Sequence, residues 1–330
     1  IATVQVLENH QDIKALKGLR PEEQASINLQ LKEGVKGVFN LIATLGGGYG
    51  DEGLWNNSAI ATYFRRNSQF LATYKGNNTG EDLSQELYSF DNDYSRTSNI
   101  STISMPSAPG IDKRFYYFNR SHNATFNNVY RVGKSGEFGI NAAYLNDRDT
   151  RQSHSATTNY LPDGGVNTVD EMMNGTARMQ KAYGDLTYMN NGDENYLKEQ
   201  LKFDWSTTDA DSRIVAGSDN VSQIGKTDTY RFLNKFHMTH RNSSDRGFEI
   251  SSLVNLEKRP HSLSVSPNLF PGIISGDMLY QRVDYRNIST ENSAGLLSAF
   301  KVGNFTLHPS AIVNYHHNSL ESRLDAADND

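Results

Sequence analysis

From Gly37 onward, apolar and polar residues alternate with a period of two in one segment after another. Phe39, Leu41, Ala43 and Leu45 share a face. So do Phe138, Ile140, Ala142 and Tyr144, set against Gly139, Asn141 and Ala143. Leu197, Leu201, Phe203 and Trp205 oppose Lys198, Gln200, Lys202 and Asp204. Phe305, Leu307, Ala311, Val313 and Tyr315 oppose Thr306, His308, Ser310 and Asn314. A period of two marks strands whose faces meet different surroundings. Eleven strands are expected, near 37–47, 55–65, 68–79, 113–131, 136–150, 174–190, 195–208, 226–241, 247–258, 278–301 and 304–319. The start of the chain reads differently. Val4 and Val6 alternate within a first strand, 11–16 suits a helical turn, and Ile27, Leu29 and Leu31 alternate with Asn28, Gln30 and Lys32. Residues 1–36 thus form a small α/β piece, handed over to the hairpins at the hinge Lys32–Gly37.

The expected turns fall into two sets. Those at Arg65–Ser68, Val132–Gly136, Asn190–Asn195, Asn242–Gly247 and Val302–Asn304 are short. The segments 80–112, 150–173, 208–226 and 258–278 read as long polar loops, with only 46–54 short among them. Short turns at one end and long loops at the other suit an outer-membrane β-barrel, apolar outside and polar within. A sandwich with its apolar faces inward has the same periodicity.

Composition narrows the chemistry. With 32 basic and 38 acidic residues, nucleic acid is not an expected partner. The absence of cysteine excludes disulfides, thiolate metal sites and cysteine nucleophiles. No signal peptide is visible, and the chain does not begin with methionine; a partial or processed sequence is expected. Tyr (17) and Phe (15) are plentiful and Pro (8) scarce. Phe115-Tyr116-Tyr117-Phe118 suits an interfacial aromatic girdle, or else a platform for stacking carbohydrate.

Candidate catalytic and metal residues are few. His237 and His240, and likewise His316 and His317, fall on opposite faces of a strand and so do not share a metal. Gly46–Gly50 reads as a hairpin turn, since no helix follows to hold phosphate. The acidic groups Asp91–Asp93, Asp209–Asp211 and Asp325–Asp330 offer oxygen ligands for calcium without EF-hand spacing. Asp163-Gly164-Gly165 is a turn signal. Asn119-Arg120-Ser121 and Asn123-Ala124-Thr125 are sequons of the kind an Asn-rich chain produces by chance. No cofactor is called for, no catalytic residue stands out, and no ligand-binding residue is marked.

Two stretches carry a resemblance. Val4–Leu16 (VQVLENHQDIKAL) followed by Ala25–Gly34 (ASINLQLKEG) resembles the plug-to-barrel junction of TonB-dependent outer-membrane receptors. Ala72–Leu83 and Gly139–Asp147 resemble strands of the Bacteroidetes, carboxypeptidase-regulatory-like branch. The resemblance implies an all-β antiparallel transmembrane barrel of about 22 strands, with eleven present. Residues 1–36 would be the C-terminal part of the plug domain and 37–330 the N-terminal half of the barrel. It further implies the cell outer membrane, lipid contact at Phe39, Leu41 and Leu45, the TonB–ExbB–ExbD energising complex as partner, and uptake of a siderophore, glycan, cobalamin or peptide without enzymatic chemistry. The readings beside it are a secreted or surface adhesin or carbohydrate-binding β protein without transport, and a barrel enzyme using His237 and His240.

Overall fold

The computed structural model describes residues 3–7, 12–17, 26–30, 37–86, 103–242, 246–297, 300–302 and 305–327. Two short strands, β1 (Thr3–Leu7) and β2 (Ser26–Gln30), pair antiparallel, with Val6 opposite Ile27. A 3-10 turn at Lys14–Leu16 sits between them in sequence. The strands of the main sheet are β3 (Val38–Tyr49), β4 (Gly53–Arg65), β5 (Ser68–Asn77), β6 (Phe118–Val132), β7 (Gly136–Tyr160) and β8 (Val166–Asn191). They continue with β9 (Asn195–Ala216), β10 (Asp219–Arg241), β11 (Gly247–Ser266), β12 (Met278–Leu296) and β15 (Ser310–Ala327). A small hairpin, β13 (Phe300–Val302) and β14 (Phe305–Leu307), stands apart between the last two.

Each strand of the main sheet pairs antiparallel with its neighbour in sequence, in an order running from β3 at one edge to β15 at the other. Each of the eleven expected strands overlaps one strand of this sheet, although several of their bounds differ. Closure does not follow: among the described residues β3 pairs only with β4, and β15 only with β12. The transmembrane barrel is therefore corrected to an open sheet. A row of unpaired N–H and C=O groups at each edge is not tolerated in hydrocarbon. With the barrel go the TonB-dependent receptor assignment, the outer-membrane location, the lipid face at Phe39, Leu41 and Leu45, the TonB–ExbB–ExbD partnership and the uptake function. No described helix is long and apolar enough to cross a membrane.

A second correction concerns the loops. Two of the four expected long loops, 150–173 and 208–226, are largely strand, and a third, 258–278, is strand as far as Ser266. β7 and β8 run for 25 and 26 residues and pair continuously from Gly136 opposite Asn190 to Tyr160 opposite Val166. The expected 150–173 loop is a two-stranded ribbon turning at 161–165, where Gly164 has φ +82° and Gly165 N–H bonds Asp163 Oδ1 at 2.9 Å. β9 and β10 turn within Gly217-Ser218, with Gly217 at φ +60°. β11 continues through Pro260. Its ladder to β10 lapses where Asp228 and Thr229 stand opposite Pro260 and Arg259, then resumes in unchanged register. Proline has no N–H to donate, so the lapse is local.

The two faces of the sheet are sharply different. By register Asn119, Ser121, Asp147, Asp149, Asp185, Gln200, Lys202, Thr239 and His261 share one face, and all are buried. Tyr144, Leu186, Leu201, Phe203 and Ile250 share the other, and all are exposed. We call these the covered and open faces. The covered face is the polar one, the reverse of an ordinary sandwich interior.

Candidate binding face

The most organised surface cluster lies on the open face of β4–β6. Register sets Gly76 of β5 opposite both Asn57 and His122. Without a side chain there, the Trp55 indole reaches across the gap and stacks on His122, centroids 5.0 Å apart and planes 26° apart. A Cβ on Gly76 would stand 2.8 Å from Trp55 Cζ3 and 2.6 Å from the Tyr74 hydroxyl. An isolated glycine inside a strand marks such a close approach. The Tyr74 hydroxyl meets His122 Nδ1 at 2.9 Å. The exposed Arg120–Glu52 pair, 2.6 Å apart, flanks the cluster. Farther along, Tyr63 stacks on Phe70 at 5.6 Å and Phe70 leans on Phe126 at 6.2 Å.

The platform's backbone is pinned from the adjoining loop. Trp55 N–H donates to Asn78 Oδ1 at 2.7 Å, and Asn78 N–H donates to the Trp55 carbonyl at 3.1 Å. Asn77, next to Gly76, points to the covered face and opens a buried network. Its Oδ1 accepts from Asn119 Nδ2 at 3.0 Å and from the N–H groups of Thr79 and Glu81, both at 3.2 Å. Asn119 also donates to Ser121 Oγ at 2.6 Å and to the Glu81 carbonyl at 3.0 Å, while its Oδ1 accepts from Gly80 N–H at 2.9 Å. Ser121 Oγ donates to Asp147 Oδ1, and the Tyr117 hydroxyl to Asp147 Oδ2 at 2.8 Å. Leu83 is buried beneath the same loop.

Charge adjusts around this network. Burial and the Asp147 carboxylate push the Tyr117 hydroxyl far above its usual range, so it stays protonated and donates. Burial raises Asp149, although Arg151 pulls it back from 2.6 Å. For Asp82 burial acts upward too, but hydrogen bonds from Lys113 and Ser84 prevail and its pKa falls below 3.8. Lys113 also lies 4.6 Å from the Tyr117 ring centre.

Elsewhere the covered face is occupied by the chain itself. Arg241 Nη1 donates to the Lys17 carbonyl at 2.7 Å and Asn191 Nδ2 to the Asp12 carbonyl at 2.7 Å, seating buried Ala15 and Leu16 by β8–β10. The segment 103–106 lies across β8–β10. A Cβ on Gly175 would meet Met105 Sδ at 2.5 Å and one on Gly225 would meet Ile103 Cγ2 at 2.8 Å, while Ser104 N–H bonds Gln223 Oε1 at 2.9 Å.

His261 is the buried titratable group with a readable consequence. It is 2% exposed; Nδ1 meets Thr227 Oγ1 at 3.0 Å, and among the described residues Nε2 has no partner. Burial, then the Arg259 charge, hold its pKa below 6.5, with Asp228 acting the other way. Just below 6.5 the unfolded chain therefore binds more protons than the folded one. Stability falls as pH drops through that window towards the folded pKa. The melting temperature is expected to be lower at about pH 5.5 than at about pH 7.5, with a smaller difference in His261→Gln. Equal differences in the two proteins would remove His261 as the cause.

The residues singled out from sequence are not brought together. His237 and His240 occupy opposite faces, against Glu249 at 3.1 Å and Asn195 at 2.7 Å respectively. His316 meets Asn318 at 2.7 Å and points away from His317. Among the described residues no three His, Asp or Glu side chains form a metal-binding group. Asp91–Asp93 lies outside the described residues, as does the end of Asp325–Asp330. Gly46–Tyr49 are strand, and the hairpin turns after them. The girdle expected at Phe115–Phe118 goes with the barrel, since the sheet is open; Phe115 and Phe118 are exposed, while Tyr117 is buried in the Asp147 network. Asn119 and Asn123 are buried, so neither sequon is open to modification. No motif in the sequence marks the Trp55–Gly76–His122 platform, whose residues meet only through the strand register. No family model and no curated protein matches the chain.

Proposed function

We propose that the chain is a secreted or cell-surface β-rich binding protein that holds carbohydrate on the open face of β4–β6, with neither transport nor bond chemistry. The observation supporting this reading is the Trp55–His122 stack over Gly76, joined by Tyr74. A pyranose ring presents a face of C–H groups that packs on a flat aromatic surface, while its hydroxyls need polar groups at the rim. Here the rim supplies Asn57, Arg120 and Glu52. Exposed apolar surface arranged in this way marks an interaction site.

The direct test is retention on immobilised polysaccharides, followed by a glycan array. Saturable binding to a defined glycan set, competed by the free oligosaccharide, is the expected result. Failure to bind any glycan at millimolar ligand, by protein with native strand content, would overturn the reading.

A further inference from the structure

Among the described residues nothing pairs with the outer edge of β3. Natural edge strands carry lysines, prolines or bulges that discourage pairing with another chain. β3 (VFNLIATLGGGY) has no charged residue and no proline, and its register to β4 runs unbroken from Val38 opposite Phe64 to Tyr49 opposite Gly53. Eleven of its twelve residues are exposed. The other edge differs: β15 carries Glu321, Arg323 and Asp325, with Arg323 and Asp325 2.7 Å apart.

The polarity of β3 is also symmetric about Ile42. Antiparallel pairing with a second copy, centred there, sets Phe39 against Leu45, Asn40 against Thr44, Leu41 against Ala43 and Ile42 against itself. Phe39, Leu41, Ile42, Ala43 and Leu45 then each meet an apolar side chain, and Asn40 meets a hydroxyl that can bond it. Centring one residue earlier sets Asn40 against Ile42; one residue later sets Thr44 against Ile42. Register in sheets is selected by this kind of match. The absence of charge leaves nothing to repel a like strand.

The geometry points to β3 as a self-association edge, pairing with β3 of a second copy of this chain in the register centred on Ile42. The two-fold axis runs perpendicular to the sheet, so one open face continues into the other. Both aromatic platforms then lie on the same side, which raises avidity for a repeating ligand. The pairing itself does not depend on the carbohydrate reading.

The chain has no cysteine, so one introduced thiol reports on one contact. Directly opposed Cα atoms in antiparallel strands lie about 4.5–5.5 Å apart, within reach of a disulfide. Under mild oxidation of the full chain, Ile42→Cys is expected to form covalent dimer at least tenfold faster than Leu41→Cys. Leu41→Cys thiols would sit two residues out of register with each other. Sedimentation should show a dimer for the unsubstituted chain and a monomer for Leu41→Lys. Equal cross-linking of Ile42→Cys and Leu41→Cys overturns the proposed register. An unsubstituted chain that stays monomeric at every concentration overturns the association, whatever its affinity for glycans.

Discussion

Replacing Trp55 with alanine is expected to weaken carbohydrate binding by roughly 30-fold, about 2 kcal/mol, the loss expected of an aromatic anchor at the centre of a binding surface. The indole supplies most of the flat area in the cluster and is held over Gly76 by its stack on His122. Its side chain points to the open face, away from the buried network, so the melting temperature should move by no more than a few degrees. Trp55→Phe keeps part of the flat surface and should lose less. Gly76→Val retains the Trp55 residue but puts a Cβ 2.8 Å from its Cζ3, so the indole must move off His122 and the variant should mimic Trp55→Ala. Isothermal titration with the best array ligand measures all three. If Trp55→Ala binds within threefold of the unsubstituted chain, the platform is not the site. Phe70→Ala provides a position control. It lies four residues from Tyr74 along β5, about 13 Å at strand spacing, so it should matter for long polysaccharides and not for short ones.

Much of the sheet was legible in the alternation. The strands near 37–47, 68–79, 136–150 and 195–208 overlap β3, β5, β7 and β9, because a strand between two unlike environments writes its period directly into the chain. The ends were harder. Arg151–Tyr160 and Val166–Asp170 are mostly polar and show no sustained alternation, with Thr157 opposite Val169 and Thr158 opposite Thr168 in a ribbon exposed on both sides. A strand with two wet faces has no hydrophobic period and reads as loop, although its threonines favour extended backbone. Pro260 hides the end of β11 in another way, since a proline inside a strand usually ends it; here the ladder to one neighbour lapses for two residues and the strand goes on.

Closure was not legible at all. Alternating faces and short turns describe a barrel wall and an open sheet equally, because both use the same local pairing. Whether the last strand meets the first depends on twist and shear accumulated over the whole sheet. The binding platform was hidden for a related reason. Trp55, Gly76 and His122 are far apart in sequence and meet only through the β4–β5–β6 register. The available clue was Gly76, a glycine in an otherwise regular strand beside Tyr74. The histidines drew attention by being close in sequence, and that spacing put them on opposite faces.

Asp147→Ala is expected to destabilise the chain by about 3–5 kcal/mol, the largest stability effect of a single substitution here. Asp147 is the common acceptor for the Ser121 and Tyr117 hydroxyls, and all three are buried. Removing it strands two donors, each of which then bears its full desolvation cost of about 1–3 kcal/mol. Ser121 also accepts from Asn119, whose remaining bonds hold Gly80 and Glu81, so loosening should spread to the loop that buries Leu83. From there it reaches Asn77 and Asn78, and hence the backbone of Trp55. The melting temperature should fall by roughly 5 °C, protease should cut sooner between Asn78 and Glu86, and glycan affinity should drop although no residue of the platform has changed. Replacing the whole set, Asp147→Leu with Tyr117→Phe and Ser121→Ala, removes donors and acceptor together. It should recover most of the lost stability, because an apolar set leaves no polar group unpaired. Recovery of stability without recovery of glycan affinity would locate the network's contribution in positioning the loop. A single Asp147→Ala variant that melts within 1 °C of the unsubstituted chain, a shift of under about 1 kcal/mol, would mean that packing of Leu83 holds this region and the hydrogen bonds do not.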